Sequence, residues 1–263
     1  MFVMYLAIST ACLYPLQTEF ALQELLEQGF RHFEIFANSE SELCDEYIET
    51  LKKKLNKYNA SVYSVHLFTS GFEPLMFFSN YPRRLYDSIE QYKRYFAATR
   101  KLGASVLVFH GDRFEGALCV EEYCKRFSLL TRAAKEEGVI IAQENVSRCK
   151  SRSLEFIRSM KKLGGEGEFK FVLDLKQTIR SQTNPFDMLD VMGTDIINVH
   201  ISDSTKENDC LLPGCGDFDF TKLYNSLVKI NYTGPLVTEV YRHNFNELSE
   251  INESLKYANK LFL

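Results

Sequence analysis

The sequence lacks several features that would assign it to a specialised class of protein. It contains no tryptophan, and its six prolines and 13 glycines among 263 residues are too few for a collagen-like or low-complexity chain. Hydrophobic residues nevertheless make up 45% of the chain and aromatic residues 13%, which is more apolar material than a disordered protein carries. The composition therefore predicts a folded globular protein.

Hydrophobic runs long enough for a membrane helix are also missing, because such a helix needs roughly 18 apolar residues in succession. Residues 1–8 are apolar, but no positively charged region precedes them and polar residues follow at once. We interpret this segment as a first buried strand rather than a signal peptide. The seven cysteines are odd in number and have no zinc-site spacing, which indicates reduced thiols. These features predict a cytoplasmic protein without a membrane partner.

The sequence also lacks a surplus of basic residues. Lysine and arginine together number 31 against 35 acidic residues, which gives a formal net charge of -4. A protein that binds nucleic acid through its overall charge carries an excess of basic residues. Nucleic acid is therefore disfavoured as a partner.

A short apolar run followed by a longer amphipathic stretch recurs about eight times along the chain. The apolar runs are rich in valine, isoleucine and phenylalanine, as is typical of strands buried on both faces of a parallel sheet. Strands that alternate with helices pair in parallel through right-handed crossovers. The predicted strands are residues 5–9, 33–36, 62–67, 105–110, 139–144, 171–174, 196–201 and 236–240.

A closed barrel is the simplest arrangement of these elements, because it leaves no sheet edge and fits the length of the chain. We predict an α/β protein with one domain, residues 1–263, and the parallel eight-stranded (β/α)8 TIM-barrel fold. A doubly wound sheet is the alternative. Against it, the first strand–helix junction lacks the glycine-rich turn that binds phosphate in dinucleotide-binding sheets.

Ionisable residues lie in or at the ends of most of the predicted strands. Each one alone is most simply a hydrogen-bonded partner of a neighbouring loop, but in a TIM barrel the C-terminal strand ends meet at one active site. Several carboxylates packed together need a cation between them, and oxygen and imidazole ligands suit Mn²⁺, Mg²⁺, Co²⁺ or Zn²⁺. The residues are Glu34, His66, His110, Glu144, Asp174, His200 and Glu239.

The order of these residues resembles the xylose isomerase-like barrels, the superfamily of sugar phosphate isomerases and epimerases that also includes endonuclease IV. The resemblance covers essentially the whole chain. Each motif alone is weak, but their order and spacing together are fairly specific for the superfamily and not for any substrate. The motifs are QEN at 143–145, LD at 173–174, VHISD at 199–203, LPGCGDFDF at 212–220 and Glu239.

The resemblance implies a site with one divalent metal, Mn, Co, Mg or Zn. In the epimerase branch the ligands correspond to Glu144, Asp174, His200 and Glu239. Glu144 and Glu239 would also act as acid and base on either side of an enediolate, which the metal stabilises.

The resemblance further implies a set of residues that contact the sugar. The histidines of strands three and four correspond to His66 and His110, and the acid of strand two corresponds to Glu34. Two positions depart from the family pattern. Gln177 stands where members often have histidine, and Lys206 stands where well-known ketose epimerases have an arginine that touches the sugar.

Further departures separate this chain from endonuclease IV. Asn208 and Cys210 occupy the places of an aspartate and a histidine that bind zinc in that branch, and Gln177 replaces a third ligand. A phosphodiesterase with three zinc ions is therefore disfavoured.

The leading hypothesis is a metal-dependent isomerase or epimerase of a sugar or sugar phosphate. A dehydratase of a keto-sugar or inosose would use the same groups, and a sugar-binding barrel without turnover is a third alternative. The expected partner is a small-molecule sugar, and assembly into a homo-oligomer is left open. The aromatic residues after strand three either cover a sugar pocket or pack against the barrel rim or a partner subunit; they are Phe68, Phe72, Phe77 and Phe78.

Overall fold

The computed structural model describes residues 4–165 and 167–262, so the first three residues of the predicted apolar start lie outside the described residues. Eight parallel strands form a closed barrel in sequence order, which confirms the (β/α)8 fold. The strands are β1 (Tyr5–Ser9), β2 (His32–Ala37), β3 (Ser61–Leu67), β4 (Val106–Phe109), β5 (Ile140–Glu144), β6 (Lys170–Asp174), β7 (Ile196–Ile201) and β8 (Pro235–Thr238).

Helices surround this barrel and bury their apolar faces against it. Within the described ranges no helix is both long and apolar enough to cross a membrane. The α-helices are α1 (Thr18–Glu27), α2 (Asp45–Lys57), α3 (Glu73–Phe77), α4 (Pro82–Lys101), α5 (Val120–Glu136), α6 (Leu154–Gly164), α7 (Leu175–Arg180), α8 (Pro185–Met192), α9 (Phe220–Lys229) and α10 (Leu248–Phe262).

The predicted strands agree with the observed ones to within a residue or two at their ends. The two differences that matter lie at the C-terminal end of the barrel, where β4 ends before His110 and β8 ends before Glu239. At His110 the backbone N–H binds the carboxylate of Glu73 at 2.8 Å instead of a neighbouring strand. At Glu239 the N–H still reaches the carbonyl of Ile201, at 3.3 Å. Both side chains therefore project from the first residue after a strand.

The four phenylalanines that follow strand three in the sequence occupy different environments. Phe77 and Phe78 are buried, and Phe77 contacts the ring of Tyr92 on α4 with a centroid distance of 4.8 Å. Phe68 lines the cavity at the end of the barrel, whereas Phe72 is exposed. Of the four phenylalanines, Phe68 is therefore the one placed to contact a ligand in this cavity.

Candidate active site

A cavity of about 440 Å³ opens at the C-terminal end of the barrel. This is the end at which TIM-barrel enzymes carry their active sites, because the loops that follow the strands surround it. Five residues that the sequence predicts for the site line this cavity, and Lys176 is among the lining residues that it does not predict. The five are His66, His110, Glu144, Gln177 and Glu239.

The four predicted metal ligands come together in one buried cluster. Glu144, Asp174 and His200 lie on β5, β6 and β7, and Glu239 directly follows β8. Each residue offers a ligand atom, and these atoms all lie within 4.8 Å of one another. The pairing of Asp174 with His200 in the β6–β7 register brings two of them side by side.

The polar atoms of this cluster fit a divalent cation. Nδ1 of His200, Oδ2 of Asp174 and Oε2 of Glu144 are buried and have no hydrogen-bond partner among the described residues. Buried polar atoms without partners are costly, and a cation would satisfy all three. Carboxylate oxygens with an imidazole nitrogen are ligands that Mn²⁺, Co²⁺, Mg²⁺ or Zn²⁺ accept.

Asp174 divides its two oxygens between a structural task and the cluster. Oδ1 accepts the backbone N–H of Gln177 at 3.0 Å and so caps the start of α7, a common role for aspartate at a helix N-terminus. Oδ2 faces the cluster. The side chain of Asn145 makes two hydrogen bonds to the backbone of Asp174. Its Nδ2 donates to the Asp174 carbonyl at 3.0 Å, and its Oδ1 accepts from the Asp174 N–H at 2.7 Å.

Gln143 and Asn145 explain why the motif around Glu144 has amides on both sides of the carboxylate. Gln143 donates to the carbonyl of His110 at 2.7 Å, and Asn145 holds β6 as described above. Because successive side chains of a strand point to opposite faces, the two amides fasten the neighbouring strand ends while Glu144 faces the cavity.

Glu34 lies beneath the cluster rather than in the cavity. It is 0% exposed, and its Oε2 lies 3.0 Å from Nε2 of His200. The same oxygen accepts a hydrogen bond from Ser64 at 2.8 Å. A carboxylate on one ring nitrogen fixes the tautomer and directs the other nitrogen to a metal. Glu34 is thus placed to orient His200, a different contact from the sugar contact that the resemblance implies.

His66 and His110 form a buried pair with 2.7 Å between their Nε2 atoms. Burial lowers the pKa of His66 to about 4 and that of His110 to about 3, so both rings are neutral near pH 7 and one donates to the other. His66 lies between the two glutamates: its Nε2 is 4.0 Å from Glu144 Oε2 and its Nδ1 is 3.9 Å from Glu239 Oε1. His110 Nε2 is 2.9 Å from Glu144 Oε2.

The environments of the two glutamates shift their pKa values in opposite directions. Burial, reinforced by the charge of Asp174, raises the pKa of Glu144 to about 8. Burial also acts to raise the pKa of Glu239, but the positive charges of Lys176 and His200 outweigh it and hold that pKa well below its usual range. The cluster therefore contains carboxylates that differ in their readiness to hold a proton.

Lys176 lines the cavity but was not predicted from the sequence. It is 4% exposed, and its Nζ lies 2.6 Å from Glu239 Oε2 and 3.3 Å from Asp174 Oδ2. Burial lowers the pKa of this ammonium, but the charges of Asp174 and Glu239 outweigh burial and leave the pKa well above its usual value. The available signal in the sequence was a lysine two positions after the predicted ligand Asp174. Lysines are almost never buried unless paired, so a lysine close to buried carboxylates is expected to pair with them.

Gln177 and Lys206, the two departures from the family pattern, occupy different places. Gln177 lines the cavity, and its Oε1 accepts the backbone N–H of Ser147 at 3.0 Å. Lys206 is exposed on the loop after β7 and is not among the described residues that line the cavity. The cations that do line it are Lys176 and Arg148, and Arg148 Nη2 lies 3.2 Å from Nδ1 of His110.

The glycine-containing loop after β7 is held by Asp203. Its Oδ2 accepts the backbone N–H groups of Gly214 at 2.9 Å and Gly216 at 3.0 Å, and its Oδ1 accepts that of Phe218 at 3.0 Å. The loop is thereby tied to the end of the strand that carries His200. Asp203 thus supports the site from outside the set of described residues that line the cavity.

Comparisons with known proteins identify a family and several relatives of this chain. Residues 22–261 match the family model of the xylose isomerase-like TIM barrel. An uncharacterised protein of Mycobacterium leprae is 24% identical over 290 residues, covering 99% of each chain. An uncharacterised protein of Mycobacterium tuberculosis is 25% identical over 280 residues, covering 95% of each chain.

Solved structures with similar folds include sugar epimerases. A D-tagatose 3-epimerase-like protein superposes with a TM-score of 0.78 at 19% identity, covering 98% of this chain and 97% of that one. A D-psicose 3-epimerase from Clostridium cellulolyticum H10, solved with D-tagatose, superposes with a TM-score of 0.80 at 16% identity, covering 98% and 99%. At these identities the likeness shows a shared fold. The family match over residues 22–261, with the closed barrel, shows that this chain belongs to the xylose isomerase-like TIM-barrel family.

Proposed function

We propose that this protein is a divalent-metal-dependent isomerase or epimerase of a sugar or sugar phosphate. The observation that carries the proposal is the buried cluster of Glu144, Asp174, His200 and Glu239 at the floor of a cavity in the C-terminal end of the barrel. One nitrogen and two oxygens of the cluster accept or donate no hydrogen bond within the described chain. An enzyme of this class needs that combination of a cation site and free carboxylates next to a substrate cavity.

The four residues of the cluster would hold the metal, with His200 oriented by Glu34. When bound, the cation would polarise the substrate carbonyl and stabilise the negative charge of an enediolate. Isomerisation and epimerisation both remove a proton from a carbon beside the carbonyl and return it elsewhere or to the other face. Return of the proton to the other face, as in epimerisation, requires a second positioned proton carrier.

Glu144 and Glu239 are the candidates for this proton transfer. Both line the cavity, and the ring of His66 lies between them, about equally far from an oxygen of each. A sugar bound over the cluster would have one glutamate on each side, one taking a proton from carbon and the other returning it. The neutral His66–His110 pair would exchange hydrogen bonds with the sugar hydroxyls.

The fold neighbours support a sugar as the substrate. One is described as a 3-keto-D-glucoside 4-epimerase from E. coli, with a TM-score of 0.78. Another is a D-allulose 3-epimerase from Methylomonas sp. solved in complex with D-allulose, with a TM-score of 0.80. Because fold alone does not determine function, the proposal depends on the site residues, and the neighbours only support the choice of sugars as the first substrates to test.

Elemental analysis of the purified protein tests the metal part of the proposal. We expect about one divalent metal per chain in the wild type and its loss in His200→Ala and in Glu239→Ala. His32→Ala is the matched control, since His32 lies at the N-terminal start of β2, at the opposite end of the barrel. Two or three zinc ions per chain would instead favour a phosphodiesterase, and no metal under any loading condition would overturn the proposal.

A panel of ketoses and their phosphates in deuterated water tests the reaction. We expect deuterium to enter the substrate at a carbon beside the carbonyl, and this exchange to be lost in Glu144→Gln and Glu239→Gln. A product that has lost water would identify the dehydratase alternative. Binding of a sugar without exchange or turnover would identify the non-catalytic barrel.

A further inference from the structure

The ammonium of Lys176 occupies the same two carboxylate oxygens that face the predicted metal ligand His200. Its Nζ is 3.3 Å from Asp174 Oδ2 and 2.6 Å from Glu239 Oε2. Those two oxygens lie 3.7 Å and 3.5 Å from Nδ1 of His200. Lys176 thus contacts the cluster at the position where Asp174, Glu239 and His200 would share a cation.

An ammonium and a divalent cation that both contact these oxygens repel each other at close range. Metal–oxygen distances are about 2.0–2.6 Å, so an ammonium kept at its present position would be a like charge directly beside the metal. Repulsion between like charges is strong where water is excluded, and this group is 4% exposed. Binding of a metal is therefore opposed as long as the ammonium keeps its present position.

The cavity gives the ammonium a place to go. Lys176 lines the cavity, and its four-carbon stem can turn without moving α7. The ring of Tyr241, which also lines the cavity, has its centroid 5.2 Å from Nζ. An aromatic face stabilises a nearby cation. Because this ring is already within reach of Nζ, the ammonium can turn away from the carboxylates and stay close to the ring.

We propose that Lys176 competes with the divalent cation for Asp174 and Glu239 and thereby sets the metal affinity of the site. Without metal, the ammonium neutralises two buried carboxylates and stabilises the fold. With metal, it turns into the cavity above the cluster. This inference rests on the metal site proposed above and goes beyond it, because it assigns a regulatory contact to a residue outside the ligand set.

The inference predicts opposite effects of removing Lys176 on stability and on metal binding. Lys176→Met keeps the length of the side chain and removes its charge. Without metal, this variant leaves Asp174 and Glu239 without their cation, so its melting temperature should fall below that of the wild type. Its affinity for Mn²⁺ should rise about tenfold or more, because no ammonium has to be displaced.

Titration calorimetry of metal-free protein with Mn²⁺ measures the affinities, and thermal unfolding with and without Mn²⁺ measures the stabilities. Arg148→Met is the matched control, since Arg148 also lines the cavity but contacts His110 rather than the carboxylates. We expect this control to change the Mn²⁺ affinity by less than about threefold. If Lys176→Met does not fold without metal, Lys176→Gln replaces it, because a neutral polar side chain can still donate to Glu239.

The possible results separate this inference from the proposed function. Tighter Mn²⁺ binding in the Lys176 variant alone supports competition. Equal or weaker binding in that variant, or an equal rise in Arg148→Met, overturns competition while the metal site stands. Failure of the wild type and of both variants to bind any of Mn²⁺, Co²⁺, Mg²⁺ and Zn²⁺ overturns the inference and the metal-dependent function together.

Discussion

Nε2 of His200 lies 3.0 Å from the carboxylate of Glu34, and neither side chain is accessible to solvent. This contact leaves Nδ1 as the ring nitrogen that faces Asp174 and Glu239. Ser64 and Asn198 hold the same carboxylate at 2.8 Å and 3.3 Å. The orientation of the predicted histidine ligand is therefore determined by a group below the cavity.

Removing the charge of Glu34 should weaken metal binding without altering the ligand set. Loss of a carboxylate that supports a ligating histidine typically costs about 10–100-fold in metal affinity, and we expect a decrease in this range for Glu34→Gln. Mn²⁺ titration of the metal-free protein measures it, with His32→Ala as the control on an unrelated histidine. Unchanged affinity in Glu34→Gln would contradict the orienting role.

Glu73 should make the stability of the protein depend on pH. Burial raises the pKa of Glu73 to about 8, although two backbone N–H groups donate to it. A carboxyl whose pKa is raised on folding stabilises the folded state most below its unfolded pKa, and this contribution is lost as the pH rises through the folded pKa. The free energy of unfolding should therefore fall between about pH 5 and pH 8, by up to about 1.4 kcal/mol per pH unit.

Glu73→Gln isolates this contribution, because glutamine resembles the protonated acid and does not titrate. Urea denaturation of both proteins from pH 5 to pH 9 gives the difference in unfolding free energy at each pH. The wild type should lose stability relative to the variant across this window. Parallel curves would show that Glu73 keeps an ordinary pKa.

Gly111 should tolerate a methyl group much less well than Gly29, although both have a positive φ, +86° and +98°. A Cβ at Gly111 would overlap the hydroxyl of the buried Tyr123, whereas a Cβ at Gly29 would meet no atom within 4 Å. Gly29→Ala should cost about 1 kcal/mol from backbone strain alone. Gly111→Ala should cost about 1–3 kcal/mol more, because the core around Tyr123 must shift. Chemical denaturation compares them, and equal losses would argue against this packing.

The two departures from the family pattern should differ in their effect on catalysis. Gln177 lines the cavity and is held by Ser147, whereas Lys206 is exposed on its loop. Once a substrate is found, Gln177→Ala should lower kcat/KM by about tenfold, a typical cost of losing one positioned hydrogen bond. Lys206→Ala should change kcat/KM by less than about twofold. A large rise in KM in Lys206→Ala would restore the sugar contact implied by the resemblance.

Sequence reasoning located the strands and the cluster of ionisable residues at their ends because their signals are local. Runs of branched and aromatic residues are typical of strands buried on both faces, and Tyr5–Ser9 and Ile196–Ile201 have the predicted bounds. The ends of parallel barrel strands must meet at one end of the barrel. An ionisable residue at a strand end, such as His200, was therefore predictable as a member of a shared site before any contact was known.

The depth of each side chain was decided by the register of the barrel. In the β2–β3 register, Glu34 pairs with Ser64 and Phe36 pairs with His66. Glu34 is therefore one layer below the residues that line the cavity, since alternate residues of a strand share a face. A sequence pattern shows whether Glu34 faces the inside or the outside of the barrel. It does not show which layer of side chains inside the barrel Glu34 joins.

Lys176 shows most clearly what the tertiary structure alone decided. The sequence determined the barrel, the order of the strand-end ligands and the family, because apolar periodicity and residue spacing are properties of the chain itself. The position of Lys176 depends on α7, which starts directly after Asp174 and is capped by its side chain. It also depends on Glu239, which follows β8 and lies 63 residues further along the chain than Lys176. Only the closure of the barrel brings those two carboxylates to one ammonium.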